Sequence, residues 1–276
     1  MTFNLGGATQ SAQQAFESNL RSLTDNAIKL ATAQRINRGA DDPAGLISSE
    51  ALRAELAVLE AETRAASRAD AVANVADAAL GEAAELLVDA SAAEVQLADG
   101  FLSEAERKAI AFQRDSSIQA SERVLSMASF GGTRLFSGDV TLNAGGGELS
   151  LAEMDLNSLG SFQSGGESYT LADVPSGRAS EGSGIASSVI RAAREQVSSL
   201  RGELGAFQRN VIEPTIRATE QAFEQIASAE SMIRDADYAK TASAAARDEA
   251  LIQSSASVLA VAQSNQATVL SLLGGG

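Results

Sequence analysis

The chain has 276 residues, a net charge of −15, and neither cysteine nor histidine. That composition removes any disulfide framework, the commonest zinc ligands and every His- or Cys-based catalytic constellation, so no cofactor is expected beyond what carboxylates alone can hold. The acidic balance repels phosphate backbones and argues against nucleic acid. With no stretch of 18 nearly pure apolar residues and no signal-type start, neither membrane insertion nor a conventional signal peptide is expected.

Apolar residues make up 45% of the chain, but aromatics only 4%, and tryptophan is absent. Alanine dominates, which suits helices packed close together better than one thick globule. In chain order, three zones stand out. From about Gln10 to Met127 the sequence reads helical with few breaks. From Phe130 to Gly184 it is rich in Gly, Ser, Asn and Asp and holds about half of all glycines. From Ile185 to Leu273 it is helical again. A helical arm, a glycine-rich middle and a second helical arm imply a long antiparallel hairpin whose ends return together.

The spacing of apolar residues supports this reading. Phe16, Leu20, Leu23, Ala27 and Leu30 step by alternating four and three residues, as do Ala69, Ala73, Ala76, Leu80, Ala83, Leu87 and Ala90. Ile212, Ile216, Thr219, Phe223 and Ile226 do so in the second arm, and Leu251, Ser255, Val258, Ala262, Asn265, Val269 and Leu272 near its end. Such stripes belong to helices crossing at shallow angles. Asp41-Asp42-Pro43 reads as a helix cap with proline in the first turn. Asp99-Gly100 reads as a helix end, and Ser103 to Glu106 as a capped restart. Arg134 to Leu142 and Ser168 to Val174 have the residue types of short strands. Pro214, inside an apolar helical pattern, predicts a kink or a restart.

Residues 1–16 and 250–276 contain no charged side chain, whereas charges are frequent between them. An ionised group taken out of water costs several kcal/mol unless well paired; a neutral amide or hydroxyl costs less. Ends that other subunits will enclose should therefore lose their charges. Alone in water, such helices have too little apolar area to be stable.

Four segments then resemble bacterial flagellins. RINRGADDPAGLISSEALRAEL (35–56) is similar to the first signature of that family, with Arg35, Asn37, Asp41, Asp42, Ala44, Gly45 and Leu46 as its matching residues. ASFGGTRLFSG (128–138) and SLRGELGAFQRN (199–210) resemble two internal motifs. The segment 228–274, with Asp235 and Asp237 and a Val-Leu-Ser-Leu-Leu close, resembles the family's end. There are departures: the opening TFNLGGATQSAQQAFESNL, Gly131 in place of Asn, and Pro214 in place of a polar residue.

The resemblance implies a mainly α structural subunit, not an enzyme, that self-assembles into an extracellular filament for motility. In it, 1–42 and 235–276 form a terminal-helix filament core, 43–135 and 185–234 a helical bundle, and 136–184 a short surface region with a β-hairpin. It places Phe3, Leu5, Phe16, Leu20, Leu23, Ile28, Leu30, Ile36, Leu251, Val258, Leu259, Val269, Leu270, Leu272 and Leu273 in core-helix packing and polymerisation. It implies type III export, and as partners further copies of the chain, an export chaperone, the filament cap and the hook–filament junction protein. A junction protein is itself the nearest alternative, and a signalling coiled coil a more remote one. Many family members carry an Arg-rich patch recognised by an animal innate receptor; the matching stretch here is Asp89-Ala90-Ser91-Ala92-Ala93, without a guanidinium fork. A cell reporter assay of that receptor is expected to show weak activation, and full potency at low dose overturns this expectation.

Overall fold

The computed structural model describes residues 5–136, 140–151, 156–179 and 184–273; side chains at 5, 6, 8, 156, 266 and 269–273 are not described. Among the described residues there are six α-helices: α1 (Leu5–Thr32), α2 (Pro43–Leu97), α3 (Glu104–Met127), α4 (Ile185–Phe207), α5 (Glu213–Arg234) and α6 (Tyr238–Leu273). No helix among these residues is long and apolar enough to cross a membrane. The fold is mainly α, with three small antiparallel sheets of two strands each.

Contacts group the chain into two units, 1–57 with 223–276 and 58–222. These boundaries lie inside α2 and α5, which continue through them, whereas the division read from sequence followed the helix breaks at 42/43 and 234/235.

The second unit is built around the alanine-rich face of α2. Ala69, Ala73, Ala76, Leu80, Ala83, Leu87 and Ala90 are all buried, as their spacing predicts. The same core takes Val189, Ile190, Ala193, Val197, Leu200, Leu204 and Phe207 from α4. From α3 come Ile118 and Leu125. The start of α3 is set by the expected capping box: Glu106 N–H donates to Ser103 Oγ, and Ser103 N–H donates to Glu106 Oε2. A buried guanidinium, Arg114, ties α3 to α2 by donating to Glu94 Oε2 at 2.8 Å.

Pro214 stands in the first turn of α5, which restarts after a π-helical turn that joins it to α4. Gln208–Ile212 forms a π-helical turn, in which Glu213 N–H donates to Gln208 O, five residues back. Proline has no N–H to give and its ring presses on the carbonyl four residues earlier; the wider turn relieves both. This turn is anchored to α2 by Gln208, whose amide donates to Asp70 and Asn74.

The strands differ from those expected at 134–142 and 168–174. They are β1 (Ser129–Phe130), β2 (Thr133–Arg134), β3 (Thr141–Ala144), β4 (Gly147–Ser150), β5 (Phe162–Ser164) and β6 (Glu167–Tyr169). Residues 171–173 form a 3₁₀ turn instead, and 137–139 lie outside the described residues. The reason is turn chemistry. Gly131-Gly132, Gly145-Gly146 and Gly165-Gly166 all have positive φ at both residues, the geometry of two-residue hairpin loops, so each Gly-Gly pair fixes the strands on either side.

Gly160 is required where it stands. Its φ is +71°, its N–H donates to Gln196 Oε1, and a β-carbon there would lie 2.8 Å from the Val189 carbonyl oxygen, a backbone atom of α4. Gly160→Ala is expected to lower the stability of this unit by about 2–4 kcal/mol, from left-handed strain and overlap with backbone. Thermal unfolding followed by circular dichroism checks this.

Candidate assembly interface

The first unit holds the two chain ends. Helix α1 packs along α6. The direction is antiparallel: Ser22 and Asn26 meet Asp248, while Gln34 bridges Asp235. On α1 the residues turned toward the pair are Thr9, Ala12, Phe16, Asn19, Leu23, Asn26 and Leu30; on α6 they are Thr241, Ala245, Asp248, Ile252, Ser255, Leu259 and Ala262. Both series step by three and four, the heptad seam of a coiled coil.

The seam is displaced by one position from part of the sequence reading. Phe16, Leu23, Leu30, Ser255 and Ala262 lie in it as expected, and Leu259 and Ile28 are half-buried. But Leu20 is 47% exposed, Leu251 44% and Val258 55%, and Ala27 and Asn265 are exposed too. Asn19, Asn26 and Ile252 take the positions assigned to Leu20, Ala27 and Leu251. The cause is Asp248. Its carboxylate, 6% exposed, accepts hydrogen bonds from Ser22 Oγ at 2.6 Å and Asn26 Nδ2 at 2.8 Å. A buried carboxylate must be hydrogen-bonded, and the helix faces rotate to supply the donors. A purely apolar template passes over this residue; a polar residue in step with Thr241, Ala245, Ile252 and Leu259 was the available signal. Phe3 lies outside the described residues, and the side chains of Leu5, Val269, Leu270, Leu272 and Leu273 are not described.

Both helices therefore carry apolar residues on the face away from their partner. With Leu20, Leu251 and Val258 goes Val261, 59% exposed.

Beside the paired helices, both chain segments leave helical geometry and are clasped together. Arg35 N–H donates to Arg234 O at 2.6 Å and Ala236 N–H to Ala33 O at 2.9 Å, flanking the Gln34–Asp235 bridge. Ala33 has φ +58°, the left-handed conformation that ends α1. Most family-signature residues gather here. Arg35 Nη2 donates to Ile233 O, and its Nη1 lies 3.6 Å from Asp42 Oδ2. Asn37 Nδ2 donates to Gln34 O. Asp42 accepts from Gly45 N–H at 2.9 Å and so caps α2, with Pro43 in the first turn as expected.

Gly45 is a close-packing residue: a β-carbon there would lie 2.7 Å from Ile36 Cδ1, and Ile36 is fully buried. Leu46 N–H continues the first turn onto Asp42 O, and Ala44 is exposed on it. Asp237 accepts from Lys240 N–H and caps α6, while Asp235 accepts from Ser231 Oγ. Arg234, which sequence reasoning did not single out, bonds Glu50 at 2.8 Å.

The backbone N–H groups of Asn37 and Arg38 hold the Asp41 carboxyl below its ordinary range, and the Arg234 hydrogen bond does the same for Glu50. A carboxylate whose folded value is depressed contributes stability that is complete above its unfolded value and lost as pH falls through the folded one. The protection factors of the backbone amides over 33–42, exchange rates corrected for the intrinsic pH dependence, are therefore expected to be constant near neutral pH and to fall below about pH 4. Asp41→Asn should remove much of that acid step. Protection factors flat from pH 7 to pH 3 contradict the assignment.

The comparisons with known proteins agree with this architecture. Residues 3–141 match the bacterial flagellin N-terminal helical region and residues 188–273 the bacterial flagellin C-terminal helical region. The chain is 29% identical to the flagellar filament 33 kDa core protein of Treponema phagedenis, over 99% of this chain and 100% of that protein. It is 30% identical to flagellin FlaB2 of Treponema pallidum, over 91% and 92% of the two chains, and 31% identical to a flagellin of Halalkalibacterium halodurans, over 89% of each. With both ends matched in order and relatives aligned along nearly their whole length, the chain belongs to the bacterial flagellin family.

Proposed function

We propose that this chain is a structural subunit that polymerises into the bacterial flagellar filament, and that the paired α1 and α6 are enclosed by neighbouring copies in its core. The observation that carries this reading is the mixed polarity of the pair. Asn19, Asn26 and Asp248 share its seam with Phe16, Leu23, Leu30, Ile252 and Leu259, while Leu20, Leu251, Val258 and Val261 remain exposed. The segments 1–16 and 250–276 add no charge to oppose burial. A subunit with two different complementary surfaces makes head-to-tail contacts that need not close, which produces an open helical assembly.

Further copies of the chain are the principal partner. An export chaperone, a filament cap and a junction protein follow from the family, as does passage through a type III export channel to the cell exterior. The filament role is favoured over that of a junction protein by the Val-Leu-Ser-Leu-Leu close and the Arg201 to Ala206 stretch.

The test is polymerisation of purified monomer, read by sedimentation and electron microscopy. Val258→Asp, which puts a charge on the outward face of α6, is expected to abolish filaments while leaving monomer helicity largely intact. Removal of 251–276 should do the same. Filaments of normal length from either variant overturn the proposed core.

A further inference from the structure

We propose that Arg35 is the positioning residue for assembly: by capping α5 from a distant segment, it sets the two terminal helices side by side before neighbouring copies enclose them. The inference rests on the filament reading above and names the residue that prepares the core.

The last carbonyls of an α-helix have no partner within it. At the end of α5, two of them are satisfied by one residue 198 positions away in sequence: Arg35 Nη2 donates to Ile233 O and Arg35 N–H to Arg234 O. The other prong of the guanidinium faces Asp42, the residue that caps α2. A cation thus stands at the C-terminal end of one helix and an anion at the N-terminal start of another, each complementing the local dipole. Because the guanidinium is 49% exposed, the ion pair itself contributes little. What Arg35 supplies is geometry, a rigid planar fork that reaches a carbonyl with one prong and a carboxylate with the other, a fixed spacing that the single nitrogen of an ammonium does not reproduce.

Immediately beyond Arg35 lies the Gln34–Asp235 bridge, where α1 has just ended and α6 is about to begin. The seam of α1 and α6 is poor in large apolar residues and specifies its own alignment weakly. The joint is where that alignment is imposed.

The chain contains no cysteine, which makes a direct test available. Gln34 and Asp235 are opposed between two flanking backbone hydrogen bonds, the close kind of antiparallel pair, with α-carbons about 4.5 Å apart and within disulfide range. The full chain is compared as wild type, Arg35→Ala and Arg35→Lys, each with and without the pair Gln34→Cys and Asp235→Cys. The readout is the critical concentration for polymerisation under oxidising and reducing conditions.

Arg35→Ala keeps the backbone N–H bond to Arg234 O but loses the charge-assisted bond to Ile233 O and the contact with Asp42, and is expected to raise the critical concentration by roughly tenfold. Arg35→Lys should recover only part of this. The oxidised cysteine pair should restore Arg35→Ala to near wild type, and reduction should reverse the rescue.

Wild-type assembly by Arg35→Ala overturns the proposal. So does full recovery by Arg35→Lys. A disulfide that forms but does not rescue also overturns it, since Arg35 would then act elsewhere, for instance on a neighbouring subunit. A pair that fails to oxidise contradicts the joint itself. If the wild-type monomer never polymerises, the filament reading fails. The rate of disulfide formation in monomers, faster with Arg35 than with alanine in its place, still reports on the clasp.

Discussion

A seam too poor in large side chains to support two long helices is the constraint on which the rest of this structure depends. Among the described side chains between α1 and α6 the bulky apolar residues are Phe16, Leu23, Leu30, Ile252 and Leu259; the other described seam positions are small or polar. An isolated helix gains little from propensity alone and needs burial of a continuous face. In the proposed filament core the remaining burial comes from neighbouring copies. In an ordinary coiled coil nearly all seam residues are apolar. This pair also places Asn19, Asn26 and Asp248 there and leaves Leu20, Val258 and Val261 exposed. Burial of those exposed residues by neighbouring copies is what the proposed core supplies.

The same logic assigns a role to the hydrogen-bonded joint at 33–42 and 233–237. Since the seam discriminates poorly among alignments, the chain supplies alignment by other means: a backbone bridge, carboxylates that cap the helices on either side, and Arg35 on two carbonyls of α5. These are directional interactions with fixed partners, unlike the apolar contacts of the helices. The cost includes a non-glycine residue, Ala33, held at positive φ. Within the paired helices, the Ser22–Asp248–Asn26 group adds a second directional contact.

The second unit has a different economy of forces. Its core is continuous, from the alanine face of α2 through α4 to Leu142, Leu151, Leu159 and Leu171 of the hairpin region. Most of the negative charge of the chain falls in this unit. A unit that buries its own apolar surface can carry that charge on the outside, where it keeps assembled particles apart. The segments 1–16 and 250–276, which the proposed core encloses, carry none.

Much of this was legible in the residues themselves. The helical arms follow from apolar spacing, the start of α2 from Asp42-Pro43, the start of α3 from Ser103 and Glu106, and the need for enclosed ends from the uncharged segments 1–16 and 250–276. These are local properties: a cap, a turn of helix or a missing charge acts within a few residues, and its signal survives in the linear order. What only the tertiary structure decided depends on partners far apart in sequence. Asp248 lies in the seam beside Asn26 and accepts from Ser22 at its edge, while Leu251 and Val258 lie outside it. Arg35 found its acceptors 198 residues away. A π-helical turn absorbed Pro214, and glycine pairs rather than strand-forming residues set the hairpins. Apolar periodicity tells which residues can be buried, but a single buried carboxylate and the donors it requires settle which of two adjacent faces turns inward.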